Sequence, residues 1–154
     1  EIFKLTPQKL SLLLNANLFR NANMVGGMDP YVLIQYKSQE RKSSVARGKG
    51  CSPTWNEKFT FRIDYPGDGD QYKLTLKIMD KDTFSADDFL GQATIYLKEL
   101  LELGIENGKS QLHPSKYRVI HNGSYHGEIC VGVNFTATVR TIDMDRQTST
   151  TLLV

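Results

Sequence analysis

Only two of the 154 residues are cysteine, Cys51 and Cys130, and only five are proline. The two cysteines form no CxxC pair and are too few for a disulfide framework, so two free thiols in a reducing compartment are expected, with one bridge as the alternative. Long apolar runs are lacking as well. Leu12-Leu13-Leu14 falls far short of the roughly 20 residues that a membrane helix needs. No basic stretch followed by an apolar run opens the sequence, which argues against a secretory leader. The sequons Asn122-Gly-Ser124 and Asn134-Phe-Thr136 are then read as chance matches. An excess of one charge sign is also missing. Nineteen Lys and Arg against seventeen Asp and Glu leave +2, which excludes a nucleic-acid binder working by bulk charge. At 40% hydrophobic and 23% charged, the composition excludes wholesale disorder and a collagen-like chain, and the length suits one domain.

What is present is period-two alternation. Phe59-Thr60-Phe61-Arg62-Ile63, Leu74-Thr75-Leu76-Lys77-Ile78 and Ile129-Cys130-Val131-Gly132-Val133-Asn134-Phe135 each put their apolar side chains on one face, the pattern of strands with one side on a core. Further strands are expected at Lys9 to Leu18, Tyr31 to Tyr36, Ser43 to Ala46, Gly91 to Leu97 and Tyr117 to Ile120. Gly26-Gly27, Gly48-Lys49-Gly50, Pro66-Gly67-Asp68-Gly69 and His121-Asn122-Gly123 separate them. Only Lys98 to Leu103 reads as helix, with Gly104 as its stop. Eight strands with one short helix predict an all-β, eight-stranded antiparallel β-sandwich. It is expected over 9–137, with an N-terminal extension at 1–8 and a flexible tail at 138–154.

Chemistry shows first between two of these strands, in Asp80-Lys81-Asp82-Thr83-Phe84-Ser85-Ala86-Asp87-Asp88-Phe89-Leu90-Gly91. Asp80 and Asp82 point the same way at a strand end, and Asp88 closes the loop. At a separation of ~5 Å and an effective dielectric of ~20, each carboxylate pair costs about 3 kcal/mol. A hard cation removes that cost, and Ca²⁺ takes oxygen ligands in flexible geometry. An EF-hand does not fit: counting from Asp80, Ser85 stands where glycine is required and Gly91 where glutamate is. A solvated acidic loop is the plain alternative.

Two further segments accompany it: Asn23-Met24-Val25-Gly26-Gly27-Met28-Asp29-Pro30-Tyr31-Val32 and Pro53-Thr54-Trp55-Asn56-Glu57-Lys58-Phe59. The three blocks, in this order and spacing, resemble the C2 domain, over nearly the whole chain from Lys9 to Phe135. Gln39 to Ala46, Tyr65-Pro66-Gly67 and Tyr125-His126-Gly127-Glu128-Ile129 narrow the resemblance. They are similar to the small single-domain C2 proteins of plants, the elicitor-responsive and sixteen-kilodalton phloem proteins. The strand order resembles the phospholipase-type (type II) permutation. The resemblance implies Ca²⁺ as cofactor, with ligands at Asn23, Asp29, Asp80, Asp82 and Asp88 and carbonyls of Met24 and Lys81 as extra oxygens. Asp87 is expected to add field rather than a bond. Asn23 departs from the carboxylate usual in the family, which implies one weakened site rather than two.

The same resemblance makes Met24, Val25 and Phe84 membrane-inserting tips, where burying one such side chain is worth about 1.5–3 kcal/mol. Folding back onto the core is the alternative for Met24. Lys37, Arg41, Lys42, Arg47 and Lys49, facing one acid in that stretch, Glu40, form a basic segment, and Lys73 and Lys77 lie on a later strand. In the family this face holds an anionic phosphoinositide headgroup, so Lys37, Arg41, Lys42, Lys73 and Lys77 are the candidate headgroup residues. A solvated strand that discourages edge pairing is the alternative. Trp55 reads as packing, and His113, His121 and His126 as polar loop and strand residues.

The expected function is a non-enzymatic, calcium-dependent module that docks on anionic phospholipid membranes in plant defence or stress signalling. A cytoplasmic monomer recruited reversibly to the plasma membrane is expected, with no DNA partner. One alternative is a calcium-independent, phloem-protein-like binder of lipid or RNA through the basic face. Another is a protein–protein adaptor.

Overall fold

The computed structural model describes residues 2–5, 8–17, 19–20, 28–47, 53–65, 72–142 and 151–153, with side-chain surroundings for 8–10, 28–47, 53–65 and 72–138. In chain order the strands are β1 (Ile2–Leu5), β2 (Gln8–Asn17), β3 (Phe19–Arg20), β4 (Pro30–Tyr36), β5 (Gln39–Lys42), β6 (Thr54–Ile63), β7 (Lys73–Asp80) and β8 (Asp88–Tyr96). Helix α1 (Lys98–Asn107) follows, then β9 (Lys109–His121), β10 (Ser124–Thr136), β11 (Val139–Ile142) and β12 (Thr151–Leu153). All the strand pairs are antiparallel.

The main hydrogen-bonded path runs β5-β4-β7-β8-β9-β10-β2-β6, and its β8–β9 step is one pair, Gln92↔Ile120. There the path folds over into two four-stranded layers. Val32, Ile34, Leu74, Leu76, Ile78 and Ile95 from one layer meet Leu10, Phe61, Ile63, Val119, Ile129, Val131 and Phe135 from the other in one buried cluster. Interdigitation of two alternating inner faces makes such a core. This is the eight-stranded antiparallel β-sandwich with one short helix that alternation predicts. The strand lying between β2 and β9 is β10, the last in the sandwich, as the phospholipase-type order requires. β1, β11 and β12 pair in a separate three-stranded sheet. Gln8, at the head of β2, is buried and donates to the Thr138 carbonyl at 3.1 Å.

Two local expectations need correction. Ser43 to Ala46 is not a strand; the strand beside β4 is Gln39–Lys42. Past Lys42 the ladder breaks because the Ser43 hydroxyl, rather than a carbonyl, accepts the Val32 N–H at 2.8 Å. The helix does not stop at Gly104 either. It runs to Asn107, and Gly108, in the left-handed region at φ 85°, ends it. Gly104 is a packing residue: a Cβ there would lie 2.1 Å from Cδ2 of Phe135.

Trp55 is the packing residue that the sequence suggests. It is buried, and its indole N–H donates to the Ser44 carbonyl at 2.9 Å. Glu57, two residues on, accepts the Ser44 N–H at 3.0 Å. The Pro53-Thr54-Trp55-Asn56-Glu57 segment therefore clasps the chain that leads to Arg47.

Candidate functional site

Three adjacent strands end together at one edge of the sandwich and bring the acids with them. In the ladders Asp80 pairs with Pro30 on one side and with Asp88 on the other. Simple alternation from Gly91 and Ala93 would turn Asp88 outward. A register shift between Ile78 and Met79 leaves Leu90 without a cross-strand partner, packed against the core, so that Phe89 faces Met79 and Asp88 shares the side of Asp80. β-Bulges re-aim side chains in this way. Gly91, at φ 149°, carries the bulge, and a Cβ there would meet Cγ1 of Val119 at 2.7 Å.

Asp29 and the Asp80 strand end are latched in both directions. The Asp29 N–H donates to Asp80 Oδ1 at 2.9 Å, and the Lys81 N–H donates to the Asp29 carbonyl at 3.0 Å. Arg47 Nη1 stands 3.9 Å from Asp29 Oδ2. Asp82 folds the loop tip. It accepts the Phe84 N–H at 3.0 Å and the Ser85 hydroxyl at 2.6 Å, the Ser85 bond chiefly holding its carboxyl below the usual range.

Asp87 does more than add field. It accepts the Tyr31 hydroxyl and, at 3.0 Å, the Asp82 N–H, and Lys81 Nζ lies 3.7 Å away. Those bonds, Tyr31 first, lower its carboxyl. Burial and then Asp87 push the Tyr31 phenol up to about 12. Asp87 is thus the residue that orders the loop, and sequence reasoning missed the role. The one available signal was the tyrosine of the Asp-Pro-Tyr-Val motif.

Asp29, Asp80, Asp82 and Asp88 offer only hard oxygen donors, which suits Ca²⁺. Among the described residues, however, no three His, Cys, Asp or Glu side chains converge as a metal group; Asp82 and Asp87 are instead engaged by N–H and O–H donors. Phe84 projects from the tip, 98% exposed. Asn23, Met24 and Val25 lie outside the described residues.

The basic candidates divide. Lys73 and Lys77 occupy the outward positions of β7, and Lys42 stands opposite Leu33, which in turn faces Lys77. Lys37 lines a hollow with Gln35, Lys73 and Thr75. Lys42 Nζ sits 4.4 Å over the Tyr31 ring, and Lys37 Nζ 5.0 Å over Tyr72. Arg41 does not join them. It pairs with inward-facing Ile34, and its guanidinium lies 5.3 Å over Phe61. Glu40, bound by Gln35 at 2.7 Å, adds one acid beside the lysines.

The family model of the C2 domain matches residues 10–114. The chain belongs to the C2 domain family. Among relatives of this C2 domain, the 16 kDa phloem protein 1 of Arabidopsis thaliana is 48% identical over 126 residues, 80% of this chain and 81% of the relative. Elicitor-responsive protein 1 of Oryza sativa subsp. japonica is 51% identical over 124 residues, covering 80% and 78%. A solved C2 domain-containing protein from an elicitor-responsive gene superposes with a TM-score of 0.67 at 33% identity, covering 87% of this chain and 93% of that one. No helix among the described residues of this C2 domain is long and apolar enough to cross a membrane.

Proposed function

We propose that this C2 domain binds Ca²⁺ and docks reversibly, without catalysing a reaction, on anionic phospholipid. The observation that carries the reading is the pairing of Asp29, Asp80, Asp82 and Asp88 at one edge of the sandwich with a phenylalanine at 98% exposure on the tip between them. An apolar side chain standing clear of the fold, on a loop that also carries Asp82, Asp87 and Asp88, has no role in packing. It suits an interface that opens once the acids are neutralised.

A bound calcium ion supplies that neutralisation and removes the repulsion between the loop and an anionic surface. The remaining steps belong to the chain. Asp80 and Asp88 offer oxygens from paired strand ends, and Asp29 is held beside them by its latch to Asp80. Asp82, which accepts the Ser85 hydroxyl and the Phe84 N–H in this structure, would offer its carboxylate to the ion as a further hard oxygen donor. Asp87 and Tyr31 keep the loop erect, and Phe84 enters the lipid interface. Lys42, Lys73 and Lys77, on the adjoining face, meet the headgroups.

A cytoplasmic domain recruited to the plasma membrane in plant defence signalling suits the kinds of relatives it has. Co-sedimentation with phosphatidylserine vesicles, in calcium and then in chelator, tests the reading. Binding in calcium alone supports it; equal binding in both overturns calcium dependence. A second reading, calcium-independent docking through the lysine face, is favoured by one observation: the lysines share a face as the chain stands, whereas no three described acids converge.

A further inference from the structure

The β9–β10 hairpin carries two of the chain's three histidines, His121 and His126, on either side of the turn Asn122-Gly123. Strict alternation would keep them apart. His121 lies three residues from Arg118, and His126 lies two from Glu128, the cross-strand partner of Arg118, so regular pairing sends the two imidazoles to opposite faces. The ladder does not stay regular. Between Tyr125↔Ile120 and Glu128↔Arg118 its register shifts, setting His126 and Gly127 against Val119 alone, with Gly127 at φ 132°. The bulge re-aims His126, and the two imidazole rings stand 5.4 Å apart, tilted by 51°.

That separation is the one a shared ion requires. Two imidazoles on one tetrahedral ion, each nitrogen at about 2.0–2.1 Å, hold their ring centres ~5 Å apart. Both histidines are half-buried, open enough to be reached from water and seated enough to hold position. The Phe89 ring meets His121 edge-on at 5.2 Å and limits its rotation. Among the described residues no third His, Cys, Asp or Glu completes a metal group, so water fills the remaining positions. Imidazole nitrogen suits zinc and copper, whereas Ca²⁺ takes oxygen. The hairpin and the acidic loop therefore select different ions.

We propose that His121 and His126 form a two-imidazole site for a late divalent transition-metal ion, Zn²⁺ or Cu²⁺. Phe89 follows Asp88 in β8, so the bound ion adds positive charge at the edge that carries the acidic loop. The site needs no calcium and stands whether or not that loop binds it. The test is an NMR titration of the full chain with zinc chloride in calcium-free buffer, reading imidazole nitrogens as well as amides. Shifts of both the His121 and His126 rings, with amide shifts at residues 119–127, support the site. His121→Gln and His126→Gln should each weaken zinc binding about tenfold or more, and His113→Gln should leave it at wild-type strength. Response of one ring alone marks an adventitious ion only and overturns the proposal; the wild-type spectrum decides this even where a variant fails to fold. Wild-type affinity in either hairpin variant, or shifts confined to residues 80–88, overturns it as well.

Discussion

The hydroxyl of Tyr31 donates to the carboxylate of Asp87, 56 positions further along the chain, and so ties β4 to the acidic loop. The same tyrosine ring lies beneath the Lys42 ammonium at 4.4 Å. One side chain therefore touches both the acidic loop and the basic face.

Tyr31→Phe keeps the ring and the Lys42 contact but removes the bond to Asp87. The loop should loosen while the sandwich stays folded. Faster hydrogen exchange at the Asp82 amide, which Asp87 also holds, and a weaker calcium titration are the expected results. An unchanged titration would show that the loop's order does not depend on this tie.

Acid should undo the loop in a defined direction. Asp82 and Asp87 both titrate below the ordinary 3.8 in the folded chain. Their contribution to stability is therefore full above that value and disappears as pH falls through the lowered folded values. Thermal midpoints followed from neutral pH into strong acid should fall along this limb, and Asp87→Asn should flatten it. Tyr31 runs the other way: its phenol is raised from 10.0 to about 12, so its contribution is lost only as pH climbs through that interval.

Gly104 sets two effects against each other. Helix propensity alone favours alanine there by roughly 1 kcal/mol. A Cβ 2.1 Å from the Phe135 ring instead forces the helix off β10, and overpacking of this kind costs about 1–3 kcal/mol. The clash should win, because Phe135 is itself buried and has nowhere to turn. Gly104→Ala should lower the urea midpoint, whereas an unchanged or raised midpoint would mean that α1 is loosely seated.

Much of this was legible in the chain because alternation is a local signal. Phe59 to Ile63, Leu74 to Ile78 and Ile129 to Phe135 all fall within observed strands. The acids of the Asp80 loop could be named for the same reason: two residues apart at a strand end, they share a side. What escaped depends on partners distant in sequence. Asp87 takes its role from Tyr31, and Asp88 takes its orientation from a bulge visible only in the β7–β8 register. Arg41 looks like its neighbour Lys42, yet strand parity sends one toward Phe61 and the other over Tyr31. Ser43 to Ala46 reads as a further strand in the sequence, but the Ser43 hydroxyl takes the place of a ladder carbonyl.

The last prediction separates insertion from surface charge. Phe84 is 98% exposed, so replacing it by alanine should leave stability unchanged. If the ring enters lipid, Phe84→Ala should lose about 1.5–3 kcal/mol, roughly ten- to a hundredfold in vesicle affinity, and salt should not alter that loss. If the lysines dominate, the triple substitution of Lys42, Lys73 and Lys77 by glutamine should abolish binding, and the wild type should bind in chelator and fall steeply with salt. Arg41→Gln serves as the internal control, because its guanidinium faces Phe61 and should not move the salt dependence. Insertion is the expected outcome, since no packing contact explains an aromatic ring at that tip. Equal affinity of wild type and Phe84→Ala for phosphatidylserine vesicles, in calcium at physiological salt, would remove it.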